Sequence, residues 1–140
     1  MNSEKNTNLK EVIDTRFLRE YFYSSRAELK EKALRKFDSL ITKNDGILPT
    51  IVIAEITQIT CSLRGKDIAQ SRFQALVQSG IEIENLTSDI AQQAGILKCT
   101  NQNLPMGDCI FAATALLNHA RVLSDDPHFD EVKEIKRVWI

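Results

Sequence analysis

The sequence predicts an α/β domain on a central, mainly parallel sheet of four to five strands. Short apolar runs alternate with helical periodicities from end to end, the pattern of parallel strands joined by right-handed crossovers. One helical stretch, Asp108 to His119 (DCIFAATALLNH), is apolar on nearly every face and so must pack between other layers. The chain has 140 residues, of which 43% are apolar and 26% charged, an ordinary globular composition with enough length for one core.

Residues 1–8 (MNSEKNTN) carry no apolar side chain after Met1 and read as a flexible tail, leaving residues 9–140 as a single domain. Leu9 to Ile13 (LKEVI) is a short strand that stops at Asp14. From Ser24 or Ser25, either a good N-cap, a helix runs to Thr42 on Leu29, Ala33, Phe37 and Leu40, and Lys43 to Gly46 turns the chain. Ile47 to Pro49 is a second strand, and Thr50 is placed to cap a helix from Ile51 to about Leu63. Gly65 breaks that helix, Asp67 is placed to cap the next, Gly80 ends it near Ser79, and Ile81 to Glu84 alternates like a half-exposed third strand.

Thr87 caps a further helix to about Cys99, with Asp89 in its first turn where the helix dipole favours an anion. Thr100 to Gly107 is a polar loop before the buried helix. Arg121 to Leu123 is a fourth strand, Ser124 to Pro127 its turn, and Arg137 to Ile140 a last strand. No internal repeat is present.

A formal net charge of −1 excludes a global field that would draw the chain onto nucleic acid or membrane. Three cysteines without C-x-x-C spacing or paired histidines suggest neither a disulfide framework nor a zinc site, and fit a reducing, cytoplasmic setting. The longest apolar run, Cys109 to Ala113, is far below the roughly 20 residues of a membrane helix, and the start is polar rather than signal-like.

Four carboxylates occupy positions that ordinary surface chemistry does not require. Asp14 and Asp125 or Asp126 follow apolar strands directly, at the edge where parallel sheets place their sites, although turn preference accounts for either one alone. Glu55 lies in the stripe of Ile51 and Ile59, where a carboxylate needs a cation such as Arg16 or Arg19, or another donor. Asp108 opens the most apolar helix, sharing a face with Ala112, Ala115 and His119, and serves either as its cap or as a site residue. Four such charges about 6 Å apart at one rim repel by about 3 kcal/mol per pair, roughly 17 kcal/mol for six pairs, more than a typical folding free energy. The cluster must bind cations or take up protons, and all-oxygen ligands select Mg²⁺ or Mn²⁺.

The series VIDT (Asp14), PTIVIAEI (Glu55), LPMGDCIFAATAL (Asp108) and LSDDPHF (Asp126) resembles the PIN-domain ribonucleases, which include VapC-type toxins. The resemblance spans Val12 to about Ile140, and its most specific part is Asp108 followed by IxAATAL, supported by Ser124, Asp126 and Phe129. It implies a three-layer α/β/α fold and metal-dependent endonucleolytic hydrolysis of RNA. Asp14, Glu55, Asp108 and Asp126 would be the catalytic carboxylates, with Asp14, Asp108 and Asp126 holding Mg²⁺ or Mn²⁺. Ser124, Asp125 and Thr15 would support the site, Asp126 ranking above Asp125 as fourth ligand. It also implies a small antitoxin protein that occludes the site and a homodimer. Arg16 stands where many relatives carry a small or polar residue.

A basic excess of +4 over residues 16–36 offers RNA a local grip through Arg16, Arg19, Arg26 and Lys30, with Tyr21, Phe22 and Tyr23 available for stacking. The ordinary alternative is a solvated helix face above core aromatics. His119 and His128 form no metal pair. A binding module of this fold without turnover is the competing reading. A receiver-like or phosphatase-like domain fits less well, because Asp14-Thr15-Arg16 lacks D-x-D spacing and no Lys directly follows an apolar strand.

Overall fold

A computed structural model describes residues 9–140, so the tail expected over residues 1–8 lies outside the described residues. Five strands, β1 (Glu11–Ile13), β2 (Gly46–Pro49), β3 (Glu82–Glu84), β4 (Arg121–Leu123) and β5 (Arg137–Val138), form one sheet in the order β3-β2-β1-β4-β5. Every neighbouring pair is parallel. Val12, Ile13, Ile47, Leu48, Val122 and Leu123 are wholly buried, as expected for strands covered on both faces.

Helix α1 (Thr15–Tyr23) fills a stretch to which the sequence reading assigns no element. Asp14 caps it by accepting a hydrogen bond from the Thr15 amide, and Phe17 and Leu18 are buried. The signal was present as a cap followed by Phe17, Leu18 and Tyr21 at helical spacing, but nine residues give a short periodicity to read. Helix α2 (Ala27–Thr42) buries Ala33, Phe37 and Leu40. Its cap position is Arg26 rather than Ser24 or Ser25; the Ser24 hydroxyl instead accepts from the Arg26 amide within the turn.

Helix α3 (Thr50–Arg64) starts one residue earlier than expected, so Thr50 lies inside its first turn, and its hydroxyl accepts from Leu86 N at 3.1 Å. That bond ties the loop after β3 to α3. Helix α4 (Lys66–Gln78) follows Gly65, whose φ of +92° sets the break, and Asp67 sits in its first turn without capping it. Helix α5 (Ser88–Thr100) carries the expected Thr87 cap, and helix α6 (Met106–Leu117) begins within the stretch expected to be loop. A short 3-10 helix, Pro127–Glu131, bridges β4 and β5, with Phe129 packed on Phe111 of α6 at 5.2 Å between ring centres. Among the described residues, no helix is long and apolar enough to cross a membrane.

The chain steps outward from β1 to β2 and β3, returns through α5 and α6, and places β4 on the other side of β1. The order therefore reverses between β1 and β4, the point at which open parallel sheets leave a crevice beyond their carboxyl ends. Asp14 and Ser124 directly follow those two strands. At the other end of β1, the buried Glu11 meets Lys36 of α2 at 2.9 Å and Arg121 of β4 at 3.1 Å.

Gly46 sets how closely α2 and the residue before β3 approach the sheet, since a Cβ there would lie 2.8 Å from Ile81 Cδ1 and 3.0 Å from Leu40 Cβ. Gly46→Ala is expected to cost about 1–3 kcal/mol through overpacking. A lowered urea midpoint with an unchanged slope would record it; a midpoint equal to that of the parent protein would contradict this packing.

Candidate active site

The site begins with Asp14, 6% exposed at the carboxyl end of β1. One carboxylate oxygen accepts from the Thr15 amide at 2.8 Å and the other from the Ser124 hydroxyl at 2.6 Å. Ser124 is itself fully buried, and its oxygen accepts the Asp126 amide at 3.0 Å. Thr15 then donates its hydroxyl to Glu55 Oε1 at 2.5 Å. A continuous relay thus joins the ends of β4 and β1 to the starts of α1 and α3, with two carboxylates at its joints.

Glu55 is half-buried, and the buried face of its helix is Val52, Ile56 and Thr60 rather than the stripe through Ile51 and Ile59. Of the cation or other donor expected beside it, the structure supplies a donor, the Thr15 hydroxyl. Its second oxygen faces the first turn of α6, where a Cβ on Gly107 would come within 3.2 Å of Oε2. Sequence reasoning passed over Gly107, although a glycine directly before an acidic first-turn residue signals a close approach. Asp108 follows it, half-buried in the first turn of α6 rather than at the cap, which is Pro105. Among the described residues, Asp108 accepts no hydrogen bond.

Asp126 caps the 3-10 helix, its carboxylate accepting from the His128 amide at 2.9 Å and lying 3.0 Å from His128 Nδ1. The turn chemistry expected of an Asp at this position is therefore present together with its place near the site. Asp125 pairs instead with the Arg16 Nε.

The basic stretch divides. Arg16 and Arg19 line a groove of about 240 Å³ with Glu20 and Asp125. Lys30 donates to the Phe22 carbonyl at the end of α1, and Arg26 lines a separate cavity with Lys32 and Trp139. The nine residues of α1, about 13 Å of helix, lie between Asp14 and this second group. Tyr21 packs against Phe37, while Arg72 lies over the Phe22 ring at 5.3 Å and Arg64 over Tyr23 at 5.6 Å. The aromatics expected to stack on bases are thus engaged with the protein's own side chains.

Burial, above all, pushes the Asp14 carboxyl up to about 6, with smaller contributions in the same direction from Asp108 and Glu55 and opposing ones from Ser124 and Thr15. Burial also raises Asp108, followed by the charges of Asp126 and Glu55, with His128 and Arg16 opposing. At Asp14 and Asp108, removal from water therefore outweighs the repulsion of the neighbouring carboxylates. Among the described residues, no three His, Cys, Asp or Glu side chains stand as a ready-made metal-ligand set. The carboxylates line one rim without closing on a common point.

Because folding raises the Asp14 carboxyl, the native state holds more protons between its ordinary value near 4 and about 6, and stability falls as pH rises through that window. Asp14→Asn removes a penalty of about 3 kcal/mol that is complete above pH 6. In chelator-treated protein the melting temperature of the variant relative to the parent is expected to rise from pH 4 to pH 7.5, on top of a constant loss from the acceptor that Asn lacks. A gap independent of pH would refute the shift.

The acidic rim and the strand order set the frame for comparison with known proteins. No curated protein matches the chain in sequence. In fold, it is similar to VapBC2 from Rickettsia felis, solved bound to a promoter DNA fragment, with a TM-score of 0.76 at 15% identity, covering 94% of this chain and 98% of that one. A toxin-antitoxin complex from Klebsiella pneumoniae gives a TM-score of 0.65 at 19% identity over 90% and 95% of the two chains. The sarcin-ricin-loop-cleaving toxin VapC20 of Mycobacterium tuberculosis gives 0.71 at 16% identity over 88% and 95%. The family model described as PIN domain matches residues 12–135, from β1 through the 3-10 helix and past every carboxylate of the rim. With that span matched and the five-stranded parallel order in place, the chain belongs to the PIN-domain family.

Proposed function

We propose that this PIN-domain protein is a metal-dependent endoribonuclease and the toxin of a type II toxin-antitoxin pair, acting in the cytoplasm. The observation that carries the reading is the buried Asp14 carboxylate at the β1/β4 switch point, sharing its rim with Glu55 and Asp108. A buried anion beside further anions is unfavourable for an isolated fold and useful where a cation is to be bound.

The donor chemistry, rather than a preformed ligand set, suits a hard divalent ion such as Mg²⁺ or Mn²⁺. The donors are all carboxylate or hydroxyl oxygens, and Gly107 keeps the space beside Glu55 Oε2 free of a side chain. Asp14 and Asp108 would be its principal ligands, and Asp126 the ligand of a second, weaker ion. When bound, such an ion offsets phosphate charge and makes water more acidic.

The protein's own groups do the rest. Ser124 and the Thr15 amide hold Asp14 so that it presents a fixed face to the crevice. The Thr15 hydroxyl fixes Glu55, whose other oxygen would orient the attacking water and accept its proton. No side-chain nucleophile is needed, because water attacks phosphorus and the 3′ oxygen leaves. An antitoxin partner draws support from the toxin-antitoxin complex with a similar fold; occlusion of the acidic rim would silence the enzyme, and a homodimer is the proposed form of the free toxin.

Asp14→Asn and Asp108→Asn are each expected to abolish cutting of single-stranded RNA in Mg²⁺ or Mn²⁺, beyond the roughly 10–100-fold cost of losing an outer-shell partner, with circular dichroism unchanged. Cutting at the parental rate by either purified variant would refute the site, and RNA binding indifferent to Mg²⁺ with no cutting by the parent would favour a binding module. A second measurement needs no substrate. Titrating Mn²⁺ should raise the melting temperature of the parent, corresponding to about 2.7 kcal/mol at a hundredfold excess over Kd, and should do so far less in Asp108→Asn. Equal curves for the two proteins would remove Asp108 as a ligand.

A further inference from the structure

The acidic rim has a cation that the relay through Ser124, Asp14, Thr15 and Glu55 does not use. Arg16 is the second residue of α1, two positions after Asp14, and its Nε donates to Asp125 in the loop after β4. The contact is made by Nε alone. Among the described residues, the two terminal nitrogens of the guanidinium have no hydrogen-bond partner, and the side chain is 52% exposed. Its charge is felt by Asp14, Asp126 and Asp108, so the free end of the fork lies within electrostatic range of the cluster without neutralising any one member by contact.

Two features show that the guanidinium is tethered rather than free to swing. Asp125 lies in the loop after β4, so the pair bridges α1 to that loop and holds the long side chain at its Nε. Arg137 of β5 pins the same loop, donating to the Ser124 carbonyl at 3.2 Å and to both carboxylate oxygens of Asp130 at 3.0 Å. The loop that carries Asp125 is therefore itself held. The pair borders the 240 Å³ groove, which Arg19 and Glu20 also line, so a strand lying in that groove would pass over the free fork.

We propose that Arg16 grips a phosphate of the RNA strand lying next to the one being cut, and that Asp125 is the positioning residue that orients its guanidinium for that contact. This rests on the nuclease reading above. A guanidinium fork matches two phosphate oxygens, which a lysine ammonium does not, and a charge already tethered loses less freedom on binding. The pair also answers how a chain of net charge −1 with an acidic rim holds a polyanion: one tethered cation stands on the groove at the start of α1, two residues from Asp14. Asp125 thus acts through Arg16, apart from the ligand role assigned to Asp126.

The test uses the full chain and a fluorescein-labelled 20-nucleotide single-stranded RNA. In the Asp108→Asn background with EDTA, where nothing is cut, Arg16→Ala is expected to weaken binding about tenfold. It should also lower the slope of log Kd against log salt by about 0.7, the value for one lost single-strand phosphate contact. Arg16→Lys should restore the slope but only part of the affinity. Asp125→Asn should leave the slope unchanged, because the charge remains, and raise Kd several-fold. In the otherwise unmodified enzyme, Arg16→Ala should raise KM about tenfold with kcat nearly constant, and melting should move little, because exposed ion pairs contribute little to stability.

Affinity and slope unchanged in Arg16→Ala would overturn the assignment. So would tighter binding or faster cutting by that variant, which would make Arg16 a plug of the acidic site. Parental behaviour of Asp125→Asn would overturn the positioning role. If the parent cuts RNA while the Arg16 and Asp125 variants match it, the nuclease reading stands and this inference falls; if the parent cuts nothing in Mg²⁺ or Mn²⁺, the nuclease reading itself falls.

Discussion

The carboxylate of Asp14, removed from water at the reversal point of the sheet, is the constraint from which the rest of this molecule follows. Burying an anion costs several kcal/mol unless donors meet it. Here the Ser124 hydroxyl and the Thr15 amide do so, one from each neighbouring strand end. The Ser124 bond ties the end of β4 to that of β1, the Thr15 amide bond starts α1, and the Thr15 hydroxyl orients Glu55 on α3. They hold the charge back only in part, since the carboxyl still rises to about 6. The site is built as a tension between burial and hydrogen bonding, and a cation is the natural way to resolve it.

The remaining charges are arranged around that tension rather than scattered. Asp108 is presented by the first turn of α6, where the helix dipole favours an anion, and Gly107 lets that turn approach Glu55. Asp126 is held by the backbone of its own turn and by His128. Asp125 spends its charge on Arg16, which separates two adjacent aspartates into different tasks. At the opposite end of β1, Glu11 is buried as well, but it meets Lys36 and Arg121. The same strand therefore carries a compensated carboxylate at one end and an incompletely compensated one at the other, and this difference separates scaffold from site.

Much of the architecture was legible because periodicity and punctuation are local properties. The five strands, the breaks at Gly65 and Gly80 and the Thr87 cap stand where apolar runs and turn residues put them. Other caps were misread for a common reason: a Ser, Thr or Asp near a helix start has several donors within reach, and tertiary neighbours decide among them. Thr50 serves Leu86, a residue 36 positions away, and Ser24 serves its own turn. Helix α1 is hard to read from sequence because its nine residues give a short periodicity; the packing of Tyr21 on Phe37 is what defines its inner side.

The sequence by itself determined the fold class, the family motifs and the identities of the four acidic positions, since each depends on neighbours within a few residues or on a recognisable order along the chain. Only the tertiary structure decided what each carboxylate faces: a hydroxyl rather than a guanidinium for Glu55, an arginine for Asp125 and a histidine for Asp126. It also decided that burial outweighs repulsion at Asp14, and that the basic stretch divides between the crevice and the far end of α1. The reason is distance. Coulomb and desolvation energies vary over a few ångströms, and residues 40 to 110 positions apart reach that separation only once the sheet has closed around them.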